Sequence, residues 1–186
     1  QASETEQRVW DLKKYGDLEE EGYTDYISQG RTFAAFDRET GRCVGVNRMF
    51  GGKNGLLPPF LELPFDDQET KSAFEAQAKE GTLEELGTVA VEPEFWSKGV
   101  NLRLWRQALR DARDRGVTDW GIIMEPQRVR IMNRRYGFTF RQLGPTEYYQ
   151  GGNCAAFVMN LYEGLEPMRE GKPDLHGWFT EEPLHE

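Results

Sequence analysis

Two cysteines, two histidines and four serines among 186 residues leave little material for several kinds of chemistry. His176 and His185 both fall in the C-terminal stretch and no G-x-S-x-G run exists, which argues against a histidine-assisted serine or cysteine nucleophile. No Cys/His spacing matches a zinc site, so no metal is expected. Cys43 and Cys154 each sit in a strand-like stretch and read as small buried hydrophobes rather than as a disulfide, which fits a reducing, cytoplasmic setting. No apolar run approaches the ~18–20 residues that span a bilayer, and no signal-peptide pattern opens the chain. It opens on Gln1 rather than Met, which leaves room for upstream processing. The loop Gly51-Gly-Lys-Asn-Gly55 lacks the spacing and the Ser/Thr of a phosphate-binding Walker motif.

What is present is the composition of one globular domain: 38% apolar, 30% charged and 12% aromatic residues. Residues 1–162 are expected to form it, with 163–186 as a loosely packed acidic tail. The net charge of −9 argues against nucleic acid as the main partner. That charge is unevenly spread. Trp96 to Arg141 holds 11 of the 23 Lys/Arg and 4 of the 32 Asp/Glu, so this segment is +7 and the remainder −16. A basic island in an acidic chain points to an anionic ligand there, against the plainer reading of solvated helix faces.

The pattern gives a short helix over Glu4–Tyr15, with Val9, Trp10 and Leu12 as its apolar positions, and strands over Arg31–Asp37 and Cys43–Phe50 joined by a turn at Glu39–Arg42. A helix follows over Asp67–Lys79, capped by Asp66 or Asp67, and then a strand over Leu86–Val91. Val100, Leu104, Ala108 and Ala112 recur at i, i+4, joined by Trp105 and Leu109, and mark a long helix closed by Gly116. A strand over Val117–Met124, a helix over Gln127–Tyr136 ended by Gly137, and strands around Phe138–Leu143 and Cys154–Leu161 complete the order. Helices alternating with strands imply an α/β arrangement: a mixed sheet with helices on both faces.

One run carries chemistry: Val91-Glu-Pro-Glu-Phe-Trp-Ser-Lys-Gly-Val-Asn-Leu-Arg-Leu-Trp105. A strand ends, the chain turns at Gly99, and an amphipathic helix begins. Helix N-termini carry unpaired N–H groups and partial positive charge, which bind phosphate. Lys98, Gly99, Val100 and Asn101 would aim such donors at a pyrophosphate, with Gly99 permitting close approach. Many strand–Gly–helix turns bind nothing, and that reading stands beside it.

Val91, Pro93, Gly99 and Leu104, with Gly137-Phe138 after the later helix, resemble in register the donor signature of the GNAT superfamily of N-acyltransferases. The resemblance implies a GNAT-type mixed sheet, a pantetheine thioester donor (acyl-CoA or acyl-carrier protein) with no permanently bound cofactor, and an amine acceptor. Trp96 stands in place of the usual Gln/Arg and Asn101 in place of a second Gly. Asn133 occupies the position of the tyrosine that many members use as acid for the leaving thiolate, and Tyr136 is three residues out of register. Within the superfamily, Arg42–Phe50, Leu56-Leu57, Phe60-Leu61, Glu85–Val91, Arg134–Gly144 and Tyr149–Gly151 are similar to acyl-homoserine-lactone synthases and long-chain N-acyl amino acid synthases. Glu85 falls on that branch's strand glutamate and Arg48 on a motif arginine. Its Glu-x-Ser-Arg reads Glu85-Leu-Gly-Thr88 here, which argues against a sulfonium substrate and for another amine, of an amino acid or small metabolite.

By this resemblance Glu85 is the candidate base, Glu125 the reserve, and Val89, Ala90 and Val91 supply N–H groups to the oxyanion. Trp96, Ser97, Lys98, Gly99, Val100, Asn101 and Asn133 would hold the donor, and Arg48 an acceptor carboxylate. The plainer alternatives are a strand-edge carboxylate for Glu85 and a salt-bridged surface arginine for Arg48. Arg103, Arg106, Arg110 and Arg113 could face CoA phosphates or an acidic carrier protein. The proline-broken stretch Leu56–Phe65 could line a long-acyl tunnel or simply cap the core. A short-chain acetyltransferase and an inactive thioester-binding module are the competing functions.

Overall fold

The computed structural model describes residues 1–13, 30–51 and 57–181. The expected loop at Gly51–Gly55 and residue Leu56 fall mostly outside them, as do the side chains of Trp10 and Leu12. Helix α1 (Ala2–Lys13) leads into strands β1 (Arg31–Phe36) and β2 (Cys43–Gly51), then a 3-10 turn at Pro59–Glu62 and helix α2 (Gln68–Glu80). Strand β3 (Leu83–Val91), a second 3-10 turn (Pro93–Lys98), α3 (Val100–Asp114), β4 (Asp119–Met124) and α4 (Pro126–Tyr136) follow. Strands β5 (Arg141–Gln142), β6 (Glu147–Tyr149) and β7 (Gly152–Asn160) precede two short helices, α5 (Glu166–Gly171) and α6 (Pro173–Thr180).

The seven strands form one mixed sheet in the order β1-β2-β3-β4-β7-β5, with β6 hairpinned onto β7. Only β3 and β4 run parallel, and they pair over just three rungs: Leu83 with Asp119, Glu84 with Trp120, and Glu85 with Gly121. Beyond Glu85 the strands part, while β3 stays zipped to β2 as far as Val91. On the β2 side, Met49 pairs with Leu86 and Asn47 with Val89, so Gly87 and Thr88 together oppose Arg48. That extra residue is a bulge, which sharpens local twist and bends β3 where it leaves β4.

One apolar layer lies between the sheet and α3, α4 and α6, built on Trp105, Leu109, Trp120, Met132, Phe138 and Phe179. The other face is covered by the 3-10 turn and α2, through Phe60, Leu61, Phe74 and Ala78. Helix α2 begins where Asp67 accepts from the N–H groups of Glu69 and Thr70 and ends at Gly81 in the left-handed region, so Asp67, not Asp66, is the cap.

Three expectations are corrected. The segment from Glu163 is no loose tail: Leu165, Met168 and Phe179 are fully buried, and Phe179 packs edge-on against Phe138. The described part of Leu56–Phe65 caps the core, with Phe60 lying against Gly121 so closely that a Cβ there would sit 2.3 Å from its ring. Strand β3 begins at Leu83 rather than Leu86, because its two acids are buried and partnered: Glu84 takes both terminal nitrogens of Arg115.

Candidate active site

Where β3 and β4 part, a cavity of about 400 Å³ opens. One wall is β3 from Glu85 to Ala90 and the other is β4 from Ile123 to Met124, continuing through Glu125 to Arg128 on α4. The β6–β7 turn, Tyr149 to Gly152, closes one side with Cys154, and Val9 of α1 closes another. From Leu86 onward the β4-facing edge of β3 has no strand partner, so its amides face the cavity unpaired by sheet bonds.

Glu85 sits at the apex, on the last rung. It is 2% exposed, and its Oε2 accepts the backbone N–H of Phe60 at 2.6 Å. Burial pushes its pKa up to about 8; the Phe60 N–H pulls the other way and Glu62 adds to the rise. The strand's alternation explains the contrast with its neighbour: Glu84 points to the opposite face and meets Arg115. The exposed-edge reading of Glu85 is therefore wrong.

Glu125 follows the end of β4, four residues and roughly 13 Å of strand beyond Gly121. It precedes Pro126, caps α4 without a side-chain bond, and pairs with Arg128, both half-exposed on the cavity rim. Val89 and Ala90 line the cavity as expected from the sequence. Val91 does not: its side chain packs on Val100 and Leu104, and its carbonyl accepts the Trp96 indole N–H at 2.6 Å.

The turn after β3 places Trp96, Ser97, Lys98, Gly99, Val100 and Asn101 at the head of α3. Gly99 is left-handed at φ +69° and serves as N-cap with no side-chain bond, so the first amides of α3 carry no cap from it. Lys98 lies over the Phe95 ring at 4.2 Å.

Two proposed ligand residues lie elsewhere. Asn133 clamps the chain that follows α4, its Nδ2 donating to the Phe140 carbonyl at 2.9 Å and its Oδ1 accepting the Phe140 N–H. The clamp gives Asn133 a structural task, and it does not line the cavity. Arg48 is 3% exposed on β2, where its Nε meets Glu6 at 2.5 Å and its terminal nitrogens donate to Thr32 and Ser3. That network docks α1 to the sheet and leaves no acceptor-binding role. Burial raises the Glu6 pKa, against the pull of Arg48 and of Thr88.

The basic ridge on α3 has neighbours of its own. Arg106 stacks on Trp178, Arg110 donates to the Glu181 carbonyl, and Arg113 donates to the Leu161 carbonyl beneath Tyr162. Arg106 and Arg110 thus reach the last helix and the residue after it, while Arg103 donates to the Lys98 carbonyl at 2.7 Å.

Sequence reasoning missed Val9, Arg128 and Cys154 as cavity residues. Cys154, read as core, is half-buried on the wall, where burial and Glu125 push its thiol up. Only the pairing register could have revealed them, since they come from three separate elements.

The chain covers 87% of its length on an N-acyl amino acid synthase, FeeM, from uncultured soil microbes, with a TM-score of 0.63, 18% identity and 84% of that chain covered. A CoA-dependent acyl-homoserine lactone synthase, BjaI, solved with SAM and isopentyl-CoA, aligns over 96% of this chain and 81% of its own at TM-score 0.60 and 15% identity. The fold is that of the GNAT N-acyltransferases. An N-acetyltransferase structure from Lactobacillus plantarum shares it too, over 86% and 88% of the two chains, at TM-score 0.59 and 14% identity. No family profile and no curated protein matches the sequence. Among the described residues no helix is long and apolar enough to cross a membrane.

Proposed function

We propose that this protein is an N-acyltransferase that passes an acyl group from acyl-CoA to a small amine. The observation that carries the reading is Glu85: a buried carboxylate with a pKa pushed up to about 8, at the apex of a cavity made by two parting parallel strands. The amine nitrogen attacks the thioester carbonyl, the carbon–sulfur bond breaks, and the thiolate leaves on the pantetheine. The amine's proton passes to Glu85, through water where the acceptor stops short. Edge amides of β3, with Val89 and Ala90 on the wall, meet the developing oxyanion. The donor's phosphates rest at the head of α3, around Gly99. A thiol of pKa ~8.5 leaves tolerably without an acid, so having Asn133 in place of a tyrosine acid costs little.

A pKa near 8 suits this base. About a tenth of Glu85 is ionised at pH 7, and the ionised fraction climbs over the range in which amines begin to lose their own proton. The described part of Leu56–Phe65 caps the core rather than lining the cavity, which favours a short acyl group.

Incubation with acetyl- and octanoyl-CoA and a panel of amines, following thiol release and the amide by mass spectrometry, tests the reading. Turnover that depends on the amine and falls with Glu85→Gln supports it. Thioester binding without any amide would leave an inactive thioester-binding module.

A further inference from the structure

Strand β3 breaks the regular alternation of its side chains beside α1. Leu86 packs in the layer of Trp105, and Val91 packs on Val100 and Leu104, so both face α3 although five residues separate them. An odd separation in an unbroken strand puts two side chains on opposite faces. The bulge of Gly87 and Thr88 opposite Arg48 accounts for the difference. It turns the backbone as well. The Glu92 N–H donates to the Val44 carbonyl on β2, so by alternation Val91 and Val89 direct their own N–H groups to the open edge. The Val91 carbonyl is accordingly turned from β2 and taken by the Trp96 indole. An unbulged strand continuing from Leu86 would present Thr88 and Ala90 there instead.

Strand β4 gives the bulge no rung, since its pairing with β3 ends at Glu85. Support comes from the α1 side. Arg48, opposite the bulge, is buried, with Glu6 at 2.5 Å from its Nε and with Thr32 and Ser3 on its terminal nitrogens. Glu6 is fully buried, and burial raises its pKa while Arg48 and then Thr88 pull it back. Thr88 does so short of a full hydrogen bond, since Oε1 of Glu6 is buried without a partner among the described residues. Val9, one turn further along α1, shares the cavity wall with Thr88. A buried ion pair with an orphaned oxygen is a poor source of stability, which directs attention to the arrangement it fixes.

We propose that Glu6 and Arg48 are positioning residues for acyl transfer: through Thr88 they hold the β3 bulge that aims the Val89 amide at the cavity, which makes α1 part of the catalytic apparatus. This rests on the acyltransferase reading. An amide turned off its line loses the oxyanion, which forms only in the transition state, so the effect falls on kcat and spares substrate affinity.

The test measures kcat and both KM values with acetyl-CoA and the best amine of the panel above. Valine keeps the branching of Thr88 and removes its hydroxyl. Thr88→Val and Glu6→Gln should each lower kcat about ten- to a hundredfold, with KM within about twofold of wild type. Thr88→Ser should restore most of the rate. The double variant of Glu6→Gln with Thr88→Val should be no slower than the slower single, because both act along one path. Thr5→Val is the control. It removes the Thr5 hydroxyl bond to the Cys43 carbonyl on the same helix and should leave kcat unchanged. Should Glu6→Gln fail to fold, the rates of Thr88→Val, Thr88→Ser and Thr5→Val decide alone. Wild-type kcat in Thr88→Val, a loss carried by KM, an equal loss in Thr5→Val, or losses that multiply in the double variant each overturn the proposal while the acyltransferase reading stands. No amide from the wild-type protein overturns both.

Discussion

Glu85 and Gly121 face each other across the last rung joining β3 to β4, and Phe60 lies over both. Its ring fills the space that a side chain at Gly121 would occupy, and its N–H holds the Glu85 carboxylate. The missing side chain thus makes room for the residue that positions the carboxylate, while burial raises its pKa against the pull of the Phe60 N–H.

Glu85→Gln should lower kcat and remove the rising limb of the pH–rate profile near pH 8. It should also alter stability with a defined sign. The folded pKa is raised from 4.5 to about 8, so the folded state holds the proton longer, and stability is lost as pH rises from about 4.5 through 8. Each pH unit in that window costs up to about 1.4 kcal/mol, and the glutamine variant is spared it. Denaturant melts of both proteins at pH 5 and pH 8 check this: the wild type should lose ground to the variant at the higher pH. Parallel stabilities at the two values would contradict the buried, protonated carboxylate.

Gly121→Ala should push Phe60 aside. Overpacking of this kind costs about 1–3 kcal/mol. Loss of the Phe60 N–H would raise the Glu85 pKa further, moving the rate limb to higher pH. An unshifted profile in a variant that melts earlier would separate packing from chemistry.

Gly99→Ala should raise the KM for acyl-CoA, because a Cβ in the left-handed region costs about 1–2 kcal/mol and disturbs the head of α3. Gly81→Ala is the control. Gly81 has φ +80°, with nothing within 4 Å of the missing Cβ. Its stability cost should be similar and its KM unchanged. Equal KM values for the two variants would remove the phosphate site.

Arg48→Ala should destabilise the fold by about 3–5 kcal/mol, since it leaves Glu6 buried without its partner. The double variant with Glu6→Gln should recover much of that loss. Urea melts measure both, and a large acceptor-KM effect in the stable double variant would restore Arg48 to substrate binding.

The sequence shows α3 plainly, because six buried positions recur on one face of a long helix. It shows the turn at Gly99 for the same local reason. It hides the first three residues of β3, since two adjacent acids look like surface until Arg115 and Phe60 are placed against them. For Arg48 and Asn133, motif position tells which strand or helix carries the residue, but not that Glu6 holds the one or that the other clamps Phe140. Arg128 has no motif at all and gains its place only when β4 parts from β3.

The C-terminal helices have a consequence for biosynthesis. Met168 and Phe179 complete the layer that covers Trp105 and Phe138, and they are among the last described residues to leave the ribosome. Until then the growing chain presents that aromatic surface to solvent, and Arg106, Arg110 and Arg113 wait for their partners. A chain cut before Phe179 keeps an open flank, suited to chaperone capture and proteolysis.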